Sequence, residues 1–547
     1  MNNSEIASVL EEFAKLSELH EGNPFKIKAL ASAAFQLDKN PVQLAGLSLD
    51  EIGKVPGIGK SLAQTIYTLI HESSLPELAQ LIAETPDGVR EIMQIKGIGP
   101  KKVRLIWKDL GIENMGELLY ACKENRLLHL KGFGEKTQNN VLQQIYFKME
   151  NADKFHYARI ENLALQLVAK LSAFSTKVSL TGAIRRACEV LEQIELVMAS
   201  ESSNDSTLSF EGFQMTQESD NEIKGTYFQI PFVIYKTPLN LFYKKLFETT
   251  GSEIHQAAYP KIELSKNSFE SEEAIFESFQ MAYIPAELRE TAEIIDKAKN
   301  NSLPHLLQLQ DLKGPLHNHS IWSDGQNTIE EMAQWCMQNG YAYLGMADHS
   351  KSAFYANGLS IERVFAQHAE IDALNRKYPN FKILKGIESD ILNDGSLDYP
   401  DDVLASFDYV VASVHSNLKM TEEKAMTRLI KAIENPYTHI LGHPTGRLLL
   451  MRAGYPINHK KIIDACAANG VHIEINANPY RLDLDWRHID YALQKGVLLS
   501  INPDAHELDG FKDMYYGVMT ARKGGLTQIG CLNALSIEEL SLKLYKK

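Results

Sequence analysis

Apolar and polar positions follow different rhythms in different parts of the chain. Residues 1 to about 150 read as short amphipathic helices, separated by a glycine-containing phrase that recurs three times. Between about 155 and 285 the pattern mixes helical and strand-like stretches. Strands are predicted over 178–180, 194–198 and 226–235, with Pro231 implying an edge or a break in the last. Residues 285–310 predict a helix followed by a connecting segment. From about residue 312 the chain alternates between β-rich apolar runs and helical or loop segments, the runs falling at 314–316, 342–346, 383–387, 409–414, 439–441, 471–475 and 497–501. Seven such runs in about 235 residues predict a barrel-like β/α domain, whose chemistry belongs at the C-terminal strand ends.

The recurring phrase reads Val55-Pro56-Gly57-Ile58-Gly59-Lys60, then Ile95-Lys96-Gly97-Ile98-Gly99-Pro100-Lys101-Lys102, then Leu130-Lys131-Gly132-Phe133-Gly134-Glu135-Lys136. Each copy enters a helix through Gly, an apolar residue and Gly, which allows a tight turn and leaves backbone N–H groups uncovered at the helix start. One copy would pass as an ordinary helix connection. Three copies resemble helix-hairpin-helix modules, which hold DNA by its backbone without regard to sequence. The candidate DNA contacts are therefore Gly57, Gly59, Lys60, Gly97, Gly99, Lys101, Lys102, Gly132, Gly134 and Lys136.

Charge narrows that reading. The 547 residues carry 56 Lys+Arg against 70 Asp+Glu, a formal charge of −14, so DNA contact must be local and salt-sensitive rather than spread over a basic surface. With 44% hydrophobic and 23% charged residues the composition is that of a globular protein, and the length suggests about three to five domains. The start, MNNSEIASVLEEFAKL, lacks the basic and apolar regions of a signal peptide, and no apolar run approaches membrane-spanning length; a cytoplasmic protein with no membrane partner is expected. Cys122, Cys188, Cys336, Cys466 and Cys531 lie far apart, so neither a disulfide framework nor a cysteine zinc site is expected.

The β/α region concentrates metal-ligand residue types where its strands should end. Run one is followed by His317-Asn318-His319 and Ser323-Asp324-Gly325, run two by Asp348-His349-Ser350, run three by Glu388, run four by His415, run five by His443-Pro444 and run seven by Asp504-Ala505-His506. The sixth, Glu474-Ile475-Asn476, supplies no selected candidate. Nine nitrogen and oxygen donors exceed the needs of one ion and suit two or three, and Glu388 can bridge a pair. His368, His439, His459, His472 and His488 read as structural.

The motifs PLHNHSIWSDG, ADHS, GIESDI, ASVHS, GHPTGR, EINANPYRLDL and NPDAH, in that order, resemble the PHP (polymerase and histidinol phosphatase) domain. Hairpins, a small α/β region and a PHP domain together resemble a bacterial family X DNA polymerase over nearly the whole chain. The resemblance implies one metal on His317, His319, Glu388 and Asp504, a second on Glu388, His415 and His443, and a third on Asp324, His349 and His506. Two or three zinc, manganese or iron ions would then hydrolyse a phosphoester, with Glu388, His415 and Asp504 at the catalytic centre. Arg447, and likewise Arg481, either clamps a phosphate oxygen or pairs with an acid such as Asp483. Asn476 and Tyr480 are candidate pocket residues.

The polymerase motif of that family, GS-x-RR, then E, then D-x-D, aligns with Gly182-Ala183-Ile184-Arg185-Arg186 through Glu189 to Gln193-Ile194-Glu195. The third aspartate, on a later strand, is expected at Gln229. Two of three anionic magnesium ligands are thus replaced by glutamine, so magnesium in the palm and nucleotidyl transfer are disfavoured; Arg185 and Arg186 either hold a phosphate or support the fold. Thr65 stands where lyase-active relatives carry their Schiff-base lysine, so the resemblance gives no support for lyase activity.

The predicted fold class is multidomain α and α/β: a helix-hairpin-helix region, a small nucleotidyltransferase-like palm and a distorted (β/α)7 PHP barrel. The expected domains are 1–90 (like the 8-kDa domain of the family), 91–155 (fingers-like hairpins), 156–290 (degenerate palm and thumb), a linker at 291–311, and the PHP phosphoesterase at 312–547. The predicted function is a DNA-repair nuclease that trims 3′ ends or cuts abasic sites on gapped or 3′-ended DNA. The alternatives are a gap-filling polymerase, a small-molecule phosphatase and a non-catalytic DNA-binding scaffold.

Overall fold

The computed structural model describes residues 1–37, 43–72, 74–123, 126–199, 208–259 and 268–545. It divides into two compact units, Met1–Ala152 and Asp153–Lys547.

The first unit is helical, and its three hairpins form where the repeated phrase predicts them. The first glycine of each copy is left-handed (Gly57 φ +84°, Gly97 φ +97°, Gly132 φ +81°), a conformation that L side chains resist. The apolar residue that follows, Ile58, Ile98 or Phe133, is buried in the unit's core, and the helices Lys60–Glu72, Pro100–Leu110 and Glu135–Glu150 start just after the second glycine.

The second unit begins with an antiparallel ladder of two residues per strand, Phe155–His156 against Val190–Leu191. Its first sheet contains β1 (Val178–Leu180), β2 (Ile194–Ala199), β3 (Phe213–Glu218), β4 (Glu222–Tyr227) and β5 (Ile230–Thr237), in the spatial order β1-β2-β5-β4-β3, with β2 and β5 parallel. The run predicted as one strand over 226–235 is the β4–β5 hairpin. Pro231 is the second residue of β5, an inner strand, paired with Thr226 beside the turn. Residues 291–311, expected as a linker, include the helix Glu293–Lys299, whose Ile294, Ile295 and Ala298 share a core with Phe247 and Phe276.

The rest of the unit is a barrel-like array of parallel strands in two sheets, a pair of β6 (Tyr343–Gly345) and β7 (Lys382–Leu384) and a five-stranded sheet of β8 (Gly386–Asp390), β9 (Tyr409–Ser413), β10 (Ile440–Leu441), β11 (His472–Asn476) and β12 (Leu499–Asn502). The run at 383–387 is split at Lys385, whose backbone bonds to the Asp408 carboxylate and backbone; β7 pairs with β6 and β8 with β9. The first predicted strand, 314–316, forms no ladder. Its surroundings still join the two edges, because the amides of Gly345 and Ala347 donate to the carbonyls of Pro315 and Asn318 while that of His319 donates to Ala505. No helix among the described residues is long and apolar enough to cross a membrane.

Burial also sets an acid limit on this unit. His255 is fully buried, its Nδ1 2.8 Å from the Thr291 carbonyl and its Nε2 3.0 Å from the Tyr259 hydroxyl. Burial holds its pKa down at about 4, and the same cause holds His368 and His488 down at about 4. Below pH ~6.5 the unfolded chain therefore binds protons that the folded chain refuses, and stability is lost as pH falls from there through 4. The melting temperature should drop between pH 7 and 4.5, and His255→Gln should flatten that slope in a thermal-unfolding series.

Candidate metal centre

The barrel carries its ionisable side chains inward at one end. His317 and His319 alternate with Asn318 along an extended segment, and both imidazoles are fully buried while the Asn318 amide donates to the Gly345 carbonyl. Glu388 lies within β8; His415, His443 and Asp504 follow β9, β10 and β12 by two residues. Two of these residues have left-handed backbones, His443 at φ 21° and Asp504 at φ 54°, a strain that clusters at functional sites.

Glu388 is the hub. Its Oε1 lies 3.0 Å from His443 Nε2, 3.1 Å from His415 Nε2 and 3.3 Å from His317 Nε2. Its Oε2 lies 2.9 Å from His349 Nδ1 and 3.7 Å from His319 Nε2. On one flank His319 Nε2 is 2.9 Å from Asp504 Oδ1; on the other His506 Nε2 is 3.3 Å from Asp324 Oδ1. All nine predicted ligands thus form one continuous cluster. Three sets bring their donor atoms within 4.8 Å of one another: His317, His319 and Asp504; His319, Asp324, His349 and His506; and His349, Glu388 and His415. The grouping differs from the one the resemblance implied, since His319 and His349 each belong to two sets.

These donors fit divalent cations. His317 Nε2 and Glu388 Oε2 are buried without a hydrogen bond although polar atoms of Asp504, His349 and His319 stand within 4 Å of one or the other, which is costly unless a cation sits among them. Burial would raise Glu388, but His415, His317 and His349 hold it well below the usual carboxylate range. Asp504 is likewise held low by His317, His319 and Arg481 against its burial. Burial pulls His415 down, yet Glu388 and Asp390 outweigh it and push it up to about 10. His319, buried beside His506 and His349, falls to about 3. A cation arriving at His415 must therefore displace a proton, and metal uptake should be pH-dependent.

Sequence reasoning passed over two carboxylates that orient ligands. Glu474, inside β11 and fully buried, accepts from His317 Nδ1 at 2.7 Å and from the His443 amide at 2.7 Å. Asp390, at the end of β8, holds His415 Nδ1 at 2.5 Å. Their signal was available, because a carboxylate inside an apolar parallel strand is rarely buried without a partner. Glu474→Gln should weaken metal binding by about 10–100-fold in a metal titration while leaving the ligands themselves in place.

The arginines divide. Arg447 does not face the cluster: Nη1 holds Asp485 at 2.5 Å, Nε donates to the Arg481 carbonyl at 2.9 Å and Nη2 to the Leu482 carbonyl. Its predicted catalytic role is corrected on that ground, and its acid partner is Asp485 rather than Asp483. Arg481 is the converse. Its Nη1 is buried without a hydrogen bond, 3.8 Å from Asp504 Oδ2 at the edge of the cluster. Asn476 Nδ2 donates to the same Asp504 oxygen at 3.1 Å, and Tyr480 is half exposed nearby in sequence.

In the first sheet Glu195 is the second residue of β2 and accepts the Ala183 amide at 2.9 Å, and Gln193 lies in the bend before that strand. Gln229 is not on a strand at all, and its expected place is corrected: it is an exposed, left-handed residue (φ 68°) in the β4–β5 turn. The residue in register with Glu195 on the adjacent strand is Val233, which is buried and apolar. Arg185 grips Glu272 through both terminal nitrogens, at 3.0 and 2.7 Å, and Arg186 holds Glu290 at 2.9 Å; both support the fold.

In the helical unit, Gly59, Gly99 and Gly134 have no atom within 4 Å of where a Cβ would stand, so their backbones are open to a close ligand. Lys60, Lys101 and Lys136 are exposed beside them. Lys102 stands 5.1 Å over the Phe133 ring, linking the second hairpin to the third.

Residues 1–75 match the family model of a helix-hairpin-helix domain, 89–145 that of a SAM-like helix-hairpin-helix tandem, and 315–478 that of the PHP domain. The DNA polymerase/3′-5′ exonuclease PolX of Bacillus subtilis (strain 168) is 34% identical over 567 aligned positions, covering 99% of both chains. A probable phosphatase of Thermoanaerobacter sp. (strain X514) is 28% identical over 228 positions, 40% of this chain and 88% of that one. A probable phosphatase of Caldanaerobacter subterraneus is 28% identical over 207 positions, 35% of this chain and 74% of that one.

Proposed function

The chain belongs to the family X DNA polymerases with a C-terminal PHP domain, and from that premise we propose that it is a DNA-binding, metal-dependent nuclease. It hydrolyses phosphodiesters at DNA 3′ ends or abasic sites, and its polymerase centre is silent. The observation that carries this reading is the Glu388-centred donor cluster with an unpaired buried Arg481 nitrogen at its edge. Two or three divalent ions on the nine ligands would turn water into hydroxide near neutral pH and offset charge on the leaving oxygen.

The chain's own residues do the rest. Glu474 and Asp390 fix the imidazoles of His317 and His415 by bonding their far nitrogens, so the near nitrogens face inward. Arg481 offers a guanidinium to a non-bridging phosphate oxygen. Beside Asp390 the surface opens into a cavity of about 520 Å³ whose wall includes Ser352, Phe354, Asn393 and Ser416, with room for the base of the nucleotide being removed. The hairpins hold the DNA backbone through open amides and nearby lysines, a grip that weakens as salt rises.

Full-length protein loaded with Mn²⁺ or Zn²⁺ should shorten 5′-labelled DNA from its recessed 3′ end or cleave at an abasic site. Normal metal content without nucleotide release would sink the proposal. Faster turnover of p-nitrophenyl phosphate than of DNA would favour a small-molecule phosphatase instead.

A further inference from the structure

The segment that resembles the polymerase motif touches the metal-bearing barrel at a specific place. The ladder pairing Phe155–His156 with Val190–Leu191 sits at that contact, and the Tyr157 amide donates to the Glu189 carbonyl to extend it. Two routes leave this ladder and end on the same loop. In one, His156 Nε2 bonds the Leu449 carbonyl at 2.9 Å, and the Leu449 amide donates to the Tyr480 carbonyl at 2.7 Å; the His156 ring also stands edge-on to the Tyr480 ring, 4.7 Å between centroids. In the other, Glu189 Oε1 accepts from Arg487 Nη1 at 3.1 Å, and the same nitrogen holds Asp485 at 2.9 Å. Asp485 in turn holds Arg447, and Arg447 donates to the Arg481 carbonyl at 2.9 Å.

Both routes therefore converge on residues 480 and 481, the turn that aims the Arg481 guanidinium at the cluster. A long side chain on an exposed loop loses orientation unless its backbone is fixed, and preorganised donors are worth more than mobile ones. We propose that His156 and Glu189 are positioning residues of the nuclease site, and that this part of the degenerate palm serves to hold Arg481 in line with the substrate phosphate. The inference rests on the phosphate-binding role given above to Arg481.

A double-mutant cycle on the full-length, metal-loaded protein tests it, read by calorimetric affinity for inorganic phosphate and by KM and kcat on a 3′-ended oligonucleotide. His156→Ala and Glu189→Gln should each weaken phosphate binding and raise KM by about fivefold to tenfold with a smaller change in kcat. His156→Gln, which keeps a donor, should recover part of the loss. In an Arg481→Ala background neither change should cost anything further, because the residue they act through is gone. Losses that multiply in that background, or a melting temperature that falls in step with every loss, overturn the inference. An Arg481→Ala variant that binds phosphate as tightly as its parent overturns the clamp itself, and the positioning role with it.

Discussion

Glu388→Gln should leave a folded protein that has lost its nuclease activity by about 10³-fold, together with part of its metal. The size follows from the hub geometry. Five imidazoles lie within 4 Å of the two carboxylate oxygens, from 2.9 Å at His349 to 3.7 Å at His319. A neutral amide keeps the shape but removes the charge that these imidazoles and their cations share. It also puts an NH₂ group where an acceptor stood, facing nitrogens on one side. Removing one partner from a buried charge set costs about 3–5 kcal/mol, which corresponds to two to four orders of magnitude in rate or affinity. Metal analysis of the purified variant beside turnover on 3′-ended DNA is the measurement; parental metal content and parental rate would overturn the role given to Glu388. DNA binding should persist at its parental salt dependence, since the hairpin backbones belong to a different compact unit.

The clustering of the nine candidate donors was legible because metal chemistry demands particular residue types and the barrel demands that they stand at strand ends. The same logic shows why Glu474 was overlooked. It contacts no proposed ion site directly, and the partners that give it its role, His317 and the His443 amide, each at 2.7 Å, lie 157 and 31 positions away, so its place in an apolar strand signals a buried partner without saying which. Arg447 failed for a related reason. GHPTGR places an arginine near the cluster in sequence, but the loop turns it toward Asp485, and only the fold shows which of two neighbouring arginines is spent. Strand boundaries erred where backbone geometry overrode residue preference: the β-rich run at 226–235 conceals a turn at Phe228-Gln229, and 314–316 reaches its neighbours through hydrogen bonds too irregular for a ladder. The hairpins were the easiest part, because a left-handed glycine followed by a buried apolar residue is a local requirement.

Primer extension should give no product above background, and the structure makes this a stronger expectation than the sequence did. A nucleotidyl-transfer site must gather anionic ligands for two magnesium ions beside a triphosphate, and each lost carboxylate removes several kcal/mol of charge stabilisation, at least about 10³-fold. Here Gln193 is neutral and Val233, not Gln229, is in register with Glu195 on the adjacent strand. The one remaining acid is also committed elsewhere: Glu195 accepts the Ala183 amide at 2.9 Å and fills the space a Cβ on Gly182 would need. Burial raises its pKa, the opposite of what a magnesium ligand requires. Arg185 and Arg186, paired with Glu272 and Glu290, are not free for a triphosphate. Glu195→Ala should therefore change nuclease turnover by less than about twofold while lowering stability by roughly 1 kcal/mol, the cost of leaving the part-buried Ala183 amide without its acceptor. Templated extension that vanishes in Glu195→Ala would show instead that this carboxylate still binds metal.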